Sequence, residues 1–206
     1  KAMRINGEAP GSIARICRDE GSSFLHISTD YVFNGAGHRP WNENDAPDPI
    51  NYYGLTKREG ELGVQQAGGR WCIIRTQWLF GPGGRNFIDT IKGLCLERDA
   101  IQVVSDQFGA PTYSLDMARA ILHMLAHGAT GIFHLANSGY VSWHQVALHV
   151  ARRVNSQCSV NACSILEFPR PARRPENSRL DCSRAREQLG ITMRPWTDAV
   201  NEYLGG

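Results

Sequence analysis

The chain has 206 residues, 42% of them hydrophobic and 20% charged, enough for one substantial core in an ordinary globular protein. Its 22 Lys and Arg stand against 20 Asp and Glu, a net charge of +2, so nothing calls for a nucleic-acid surface. No apolar run approaches the roughly 18 residues of a membrane-spanning helix, and the opening residues give no reason to expect a secretory leader. The expectation is a cytoplasmic protein with neither nucleic acid nor membrane as partner.

The elements alternate. APGSIARICRDEG (9–21) reads as a helix that starts at Pro10 and stops at Gly21. SFLHIS (23–28) is a run of buried-strand length, followed by a long loop with the turn dipeptide Asn34-Gly35. A helix is predicted from about 50 to 67, then the strand RWCIIRT (70–76) and the glycine-rich loop FGPGGRN. Next come a helix (86–98), the strand IQVVSD (101–106), a helix (114–127), the strand GIFHLA (131–136) and a helix (142–154). Ser114 and Ser142 sit where N-caps belong. A strand at 160–165, a Pro/Arg loop at 169–179 and short helices near 183–189 and 196–204 complete the pattern. Such alternation predicts an α/β fold with a parallel sheet, whose ligands bind beyond the carboxyl ends of the strands. The loops after HIS and after CIIRT are therefore the places to look for a site.

Six cysteines (Cys17, Cys72, Cys95, Cys158, Cys163, Cys182) form no CxxC pair and read as reduced core thiols. His123 and His127 have helical i,i+4 spacing without an acidic third ligand nearby, so a structural role is expected and no metal site.

The stretch NYYGLTKREGEL (51–62) offers chemistry. On a helix Tyr53 and Lys57, four apart, share a face, whereas Tyr52 and Lys57 diverge. An ammonium beside a phenol favours the phenolate and lowers its pKa, and a tyrosine tuned in this way exchanges a proton with a carbonyl or an alcohol. Taken alone, the spacing is more often a ring with a surface lysine beside it. Its context strengthens it: HISTDYVFNG ends one strand with Ser28, Thr29, Asp30 and Tyr31, and Trp78 stands just beyond the next.

The blocks STDYVFNG, PWNENDAPDPINYYGLTKREGE, IIRTQWLFGPGGRNF, VVSDQFGAPTY and RRPENSRLDCSR together resemble the extended short-chain dehydrogenase/reductases and, within them, the dTDP-4-dehydrorhamnose reductase family. The resemblance implies a Rossmann-like parallel sheet plus a small C-terminal α/β substrate-binding subdomain. It divides the chain into residues 1–85, discontinuous with parts of 100–140, and a mainly substrate-binding part, 86–206. It also implies reduction of the carbon-4 ketone of a dTDP-sugar, dTDP-4-dehydro-L-rhamnose, with NADPH or NADH. Carried onto this chain, Tyr53 would be the general acid, and Lys57 would lower its pKa and hold the nicotinamide ribose. Thr29 would hydrogen-bond the substrate oxygen and Tyr53. Asp30, Tyr31 and Trp78 would line the sugar pocket, and Arg173 and Arg174 would suit the diphosphate.

Related families test the reading. The nucleotide-sugar dehydratases carry an Asp-Glu pair where this chain has Asp30-Tyr31, which favours simple reduction. The regulatory β subunit of methionine adenosyltransferase shares the fold as a catalytically inactive binding protein, but STDYVF and RTQWLFG look like the enzyme. One block is missing: no glycine-rich turn between a strand and a helix precedes SFLHIS, and Gly7 and Gly11 follow no apolar strand. The expectation is that the opening βαβ units, about 70–80 residues at ~30 per unit, are lacking. A sheet of that kind exposes an edge, so a homodimer or a partner chain supplying the rest is expected.

Overall fold

The computed structural model describes residues 1–167 and 172–205. A π-helical segment, Met3–Glu8, runs into α1 (Ala9–Asp19), with Pro10 in its first turn. After β1 (Ser23–Thr29) and a short 3-10 turn, Asp30–Val32, a long loop leads to α2 (Tyr52–Ala67). Then follow β2 (Arg70–Thr76), β3 (Leu79–Phe80), α3 (Phe87–Glu97), β4 (Ala100–Val104), β5 (Phe108–Gly109) and β6 (Thr112–Tyr113). The remainder is α4 (Ser114–Ala126), β7 (Gly131–His134), β8 (Val141–Ser142), α5 (Trp143–Val154), β9 (Ser159–Cys163), α6 (Ser183–Leu189) and α7 (Trp196–Tyr203).

The main sheet has the order β1-β2-β7, all parallel, with Ser28 opposite Arg75 and Thr29 opposite Thr76 at the carboxyl ends. β4 and β9 form a second parallel pair and β3 and β6 a third, while β5 and β8 pair antiparallel. The α/β class with parallel pairing therefore stands. One core fills the space between α3, α5 and α7, with Ile88, Ile91, Val146, Val150 and Val200 buried in it. Another lies between the main sheet and α4, around Ile74, Met117, Met124 and Phe133.

On the opposite face α1 and α2 cross so closely that a Cβ on Gly11 would stand 3.0 Å from the backbone of Gly63. Gly11 is thus a helix-packing residue. β1 is one of the two edge strands of the described sheet, and Ile5, Ile13, Ile16 and Ile27 on the first helical segments and β1 are exposed. No described helix is long and apolar enough to cross a membrane.

Ser142 caps α5 as expected, in a reciprocal capping box with Gln145. Ser114 does not cap α4: Tyr113 holds the cap position without a side-chain bond, and Ser114 is the first helical residue. Tyr113 is instead fixed through its backbone N–H, which donates to Asn137 Oδ1 at 2.8 Å. His123 contacts the Leu189 carbonyl oxygen through Nε2 at 2.9 Å and stacks on His127.

Candidate active site

β1 ends in Ser28-Thr29, and the chain turns at once into Asp30–Val32. The Thr29 hydroxyl caps this turn, accepting from the Tyr31 N–H at 3.2 Å and donating to Asp30 Oδ1 at 3.0 Å. Asp30 is buried, and burial pushes its carboxyl up to about 6 against the pull of the Ser178 and Thr29 hydroxyls.

α2 begins beside that turn. Asn51 caps it, its side chain accepting from the Gly54 N–H at 2.8 Å. A Cβ on Gly54 would collide with the Tyr31 carbonyl oxygen, so glycine lets the first turn of α2 lie against the end of β1. Tyr53 then packs edge-on against Tyr31, with ring centroids 5.8 Å apart and planes at 78°. Tyr52 points outward, 60% exposed.

The electrostatics differ from the sequence expectation. The Tyr53 phenol is raised above its usual value, by burial first and then by the Asp30 carboxylate, while the Thr29 hydroxyl pulls it down. Lys57 does not lower it. Its Nζ donates to the Ile27 carbonyl oxygen at 2.5 Å and lies 3.5 Å from His26 Nε2, because α2 places it over β1. Burial lowers the lysine, opposed by the Glu61 carboxylate one turn along. Burial and Lys57 also hold His26 down at about 4, so it is neutral at physiological pH.

β2 supplies the other wall. Immediately after Thr76, Trp78 takes φ 45°, the only non-glycine residue with positive φ in the described chain. Such a conformation costs about 1–3 kcal/mol for a bulky residue and gathers at functional positions. It is held by the Thr112 N–H, which donates to the Trp78 carbonyl at 3.1 Å. Gly109 also helps, since a Cβ there would stand 2.7 Å from Trp78 Cε2. The indole lies flat on Trp143, the first residue of α5, with centroids 3.5 Å apart.

These walls enclose a cavity of about 420 Å³ at the carboxyl ends of β1 and β2, lined by Thr29, Asp30, Tyr31, Tyr53, Lys57 and Trp78. All six residues singled out in the sequence are together. Arg174 also lines the cavity, whereas Arg173 contributes its carbonyl oxygen to Asn51 Nδ2 at 2.9 Å; Arg170, which completes a basic cluster with them in the sequence, lies outside the described residues. Trp143 and Gln77 line it too and were missed. Trp143 is distant in sequence and looks locally like an ordinary start of a helix. Gln77 stood inside a quoted block; it is 2% exposed, and its amide finds no partner among the described residues. A second, largely apolar cleft of about 290 Å³, with Phe87, Leu94 and Gln107, shares Trp143 and Arg174 with the first.

The site geometry is matched by three kinds of likeness. The sequence model described as RmlD substrate binding domain matches residues 1–205. A spore coat polysaccharide biosynthesis protein, SpsK, from Bacillus subtilis is 39% identical over 99% of this chain and 71% of its own length. A dTDP-4-dehydrorhamnose reductase from Burkholderia thailandensis is 37% identical over 97% of this chain and 72% of its own. The crystal structure of dTDP-4-dehydrorhamnose reductase from Bacillus anthracis in complex with NADP superposes with a TM-score of 0.93. It is 33% identical and is covered to 71%, against 97% of this chain. Matched in sequence and in fold along nearly its whole length, the chain belongs to the dTDP-4-dehydrorhamnose reductase family.

Proposed function

We propose that the protein reduces the carbon-4 ketone of dTDP-4-dehydro-L-rhamnose to dTDP-L-rhamnose, with NADPH or NADH as reductant. The observation that carries this reading is the single cavity in which Thr29, Tyr53, Lys57 and Trp78 meet at the strand ends. Family membership supplies the reaction class, and the NADP bound in the B. anthracis relative supports the cofactor.

The residues present fit a nicotinamide. A cavity beyond the carboxyl ends of parallel strands is where such cofactors lie, and Lys57 presents an ammonium there beside Tyr53. Lys57 and Tyr53 would hold the ribose end. When bound, the reduced nicotinamide supplies a hydride to the ketone carbon. Tyr53 gives its phenolic proton to the carbonyl oxygen, which becomes the new hydroxyl. A phenol raised above its usual value is fully protonated at neutral pH and so is poised to donate. Thr29, whose hydroxyl reaches both Asp30 and Tyr53, orients the acceptor oxygen. Trp78, fixed by Trp143, offers a flat face to the sugar. The apolar cleft beyond Trp143 suits the thymidine, with Arg174 between the two spaces for the diphosphate.

The test is NADPH consumption with dTDP-4-dehydro-L-rhamnose. Tyr53→Phe is expected to lower kcat by about 10²–10⁴, the usual worth of a positioned acid, while dTDP-L-rhamnose still binds. Undiminished turnover in that variant would rule the reading out.

A further inference from the structure

Glu61 and Arg75 form an ion pair below the cavity. Arg75 Nε and Nη2 donate to Glu61 Oε1 and Oε2 at 2.8 and 2.7 Å, with the two side chains 1% and 0% exposed. Arg58 adds a third contact at 3.1 Å, and the Ser28 hydroxyl stands beside the same carboxylate. The Arg75 guanidinium also covers the Phe33 ring at 5.0 Å. A buried pair is weak evidence for stability, because desolvation offsets the attraction, so its presence calls for another reason.

Its position supplies one. Ser28 and Arg75 are register partners at the ends of β1 and β2, and Glu61 bonds Arg75 from α2. The carboxylate thus pins α2 to β2, whose end makes one wall of the cavity. It also stands one helical turn from Lys57 on the same face. The groups facing Lys57 are the Ile27 carbonyl oxygen and neutral His26 on β1 and Glu61 on its own helix; Arg58 and Arg75 are engaged with Glu61. Tyr53 and Asp30 line the same cavity as Lys57.

We propose that Glu61, held by Arg75, is a positioning residue of the active site: it fixes α2, and with it Tyr53 and Lys57, against the strand ends and sets a carboxylate one helical turn from the Lys57 ammonium. The carboxylate is itself held ionised by Arg75 despite its burial, so the charge persists across the working pH range. The titration of Lys57 is independent of the reaction proposed above, whereas the activity arm rests on that reading.

The test uses the small number of lysines. Lys1, Lys57 and Lys92 are the only ones in the chain, so ¹³C-dimethylation gives three lysine signals, besides that of a free N-terminal amine, whose titrations are read by NMR. Two variants are compared with the parent: Glu61→Gln, and Glu61→Met combined with Arg75→Met, which replaces the pair by apolar groups of similar volume, often without loss of stability. In Glu61→Gln the Lys57 signal is expected to titrate about one pH unit lower; in the double variant, which also removes the Arg75 charge, it moves down by less, with Lys92 unmoved in both. The alkaline limb of kcat/KM is expected to move down with it. A folded variant in which Lys57 titrates as in the parent overturns the proposal. So does a double variant that fails to fold, which would assign the pair to stability alone. If Lys57 shifts but the parent does not reduce dTDP-4-dehydro-L-rhamnose, the positioning role stands and the reaction is the part that fails.

Discussion

Trp78 lies flat on Trp143, ring centroids 3.5 Å apart and planes inclined by 14°. The pair joins the end of β2 to the start of α5, and Phe87 backs Trp143 at 4.4 Å. Since the backbone at Trp78 has positive φ, its indole stays in place only while its surroundings hold it. Trp143→Leu is expected to weaken dTDP-L-rhamnose binding about three- to ten-fold, the worth of an aromatic pair, with a smaller change in kcat. Calorimetry on parent and variant measures it. An unchanged affinity would remove Trp143 from the support of the sugar wall.

Asp30 gives a pH dependence with a definite sign. Burial raises its carboxyl from 3.8 to about 6, so between those values the folded chain keeps a proton that the unfolded chain releases. Stability contributed by this group is present below about pH 4 and is lost as pH rises through 6. The whole effect is about 3 kcal/mol. Asp30→Asn is therefore expected to be more stable than the parent at pH 7.5, with the advantage shrinking towards pH 4, although its activity falls. Urea unfolding at several pH values reads the slope. An advantage of equal size at every pH would contradict it.

Much of this was legible in the sequence because the long elements carry their own signals. RWCIIRT is β2 to the residue, and the helix expected at about 50–67 is α2 at Tyr52–Ala67. The spacing of Tyr53 and Lys57 placed both on one face, and both line the cavity. The illegible parts depend on distant partners. β3, β5, β6 and β8 have two residues each, too few for any period, and exist because Leu79 meets Thr112 and Phe108 meets Ser142. The tuning of Tyr53 was misread for the same reason: the sequence shows a lysine four residues away, but not that Ile27 holds its ammonium. Gly11 and Gly63 likewise gave no sign that they touch.

Gly54 and Gly11 separate damage to the site from damage to the fold. At Gly54 a Cβ would strike the Tyr31 carbonyl oxygen and stand 3.0 Å from Pro49 Cβ. Backbone on one side and proline on the other leave α2 to retreat, carrying Tyr53 away from Thr29. Gly54→Ala is expected to cost about 1–3 kcal/mol of stability, as overpacking does, and also to lower kcat by ten-fold or more in protein that remains folded. At Gly11 the obstacle is the Gly63 backbone, 3.0 Å away, on the other side of the helix pair from the strand ends. Gly11→Ala should cost a similar amount of stability yet leave kcat unchanged below its unfolding transition. Thermal melts paired with initial rates distinguish the two. Equal loss of kcat in both variants would mean that the position of Tyr53 depends on the whole α1–α2 layer and not on its contact with the turn after β1.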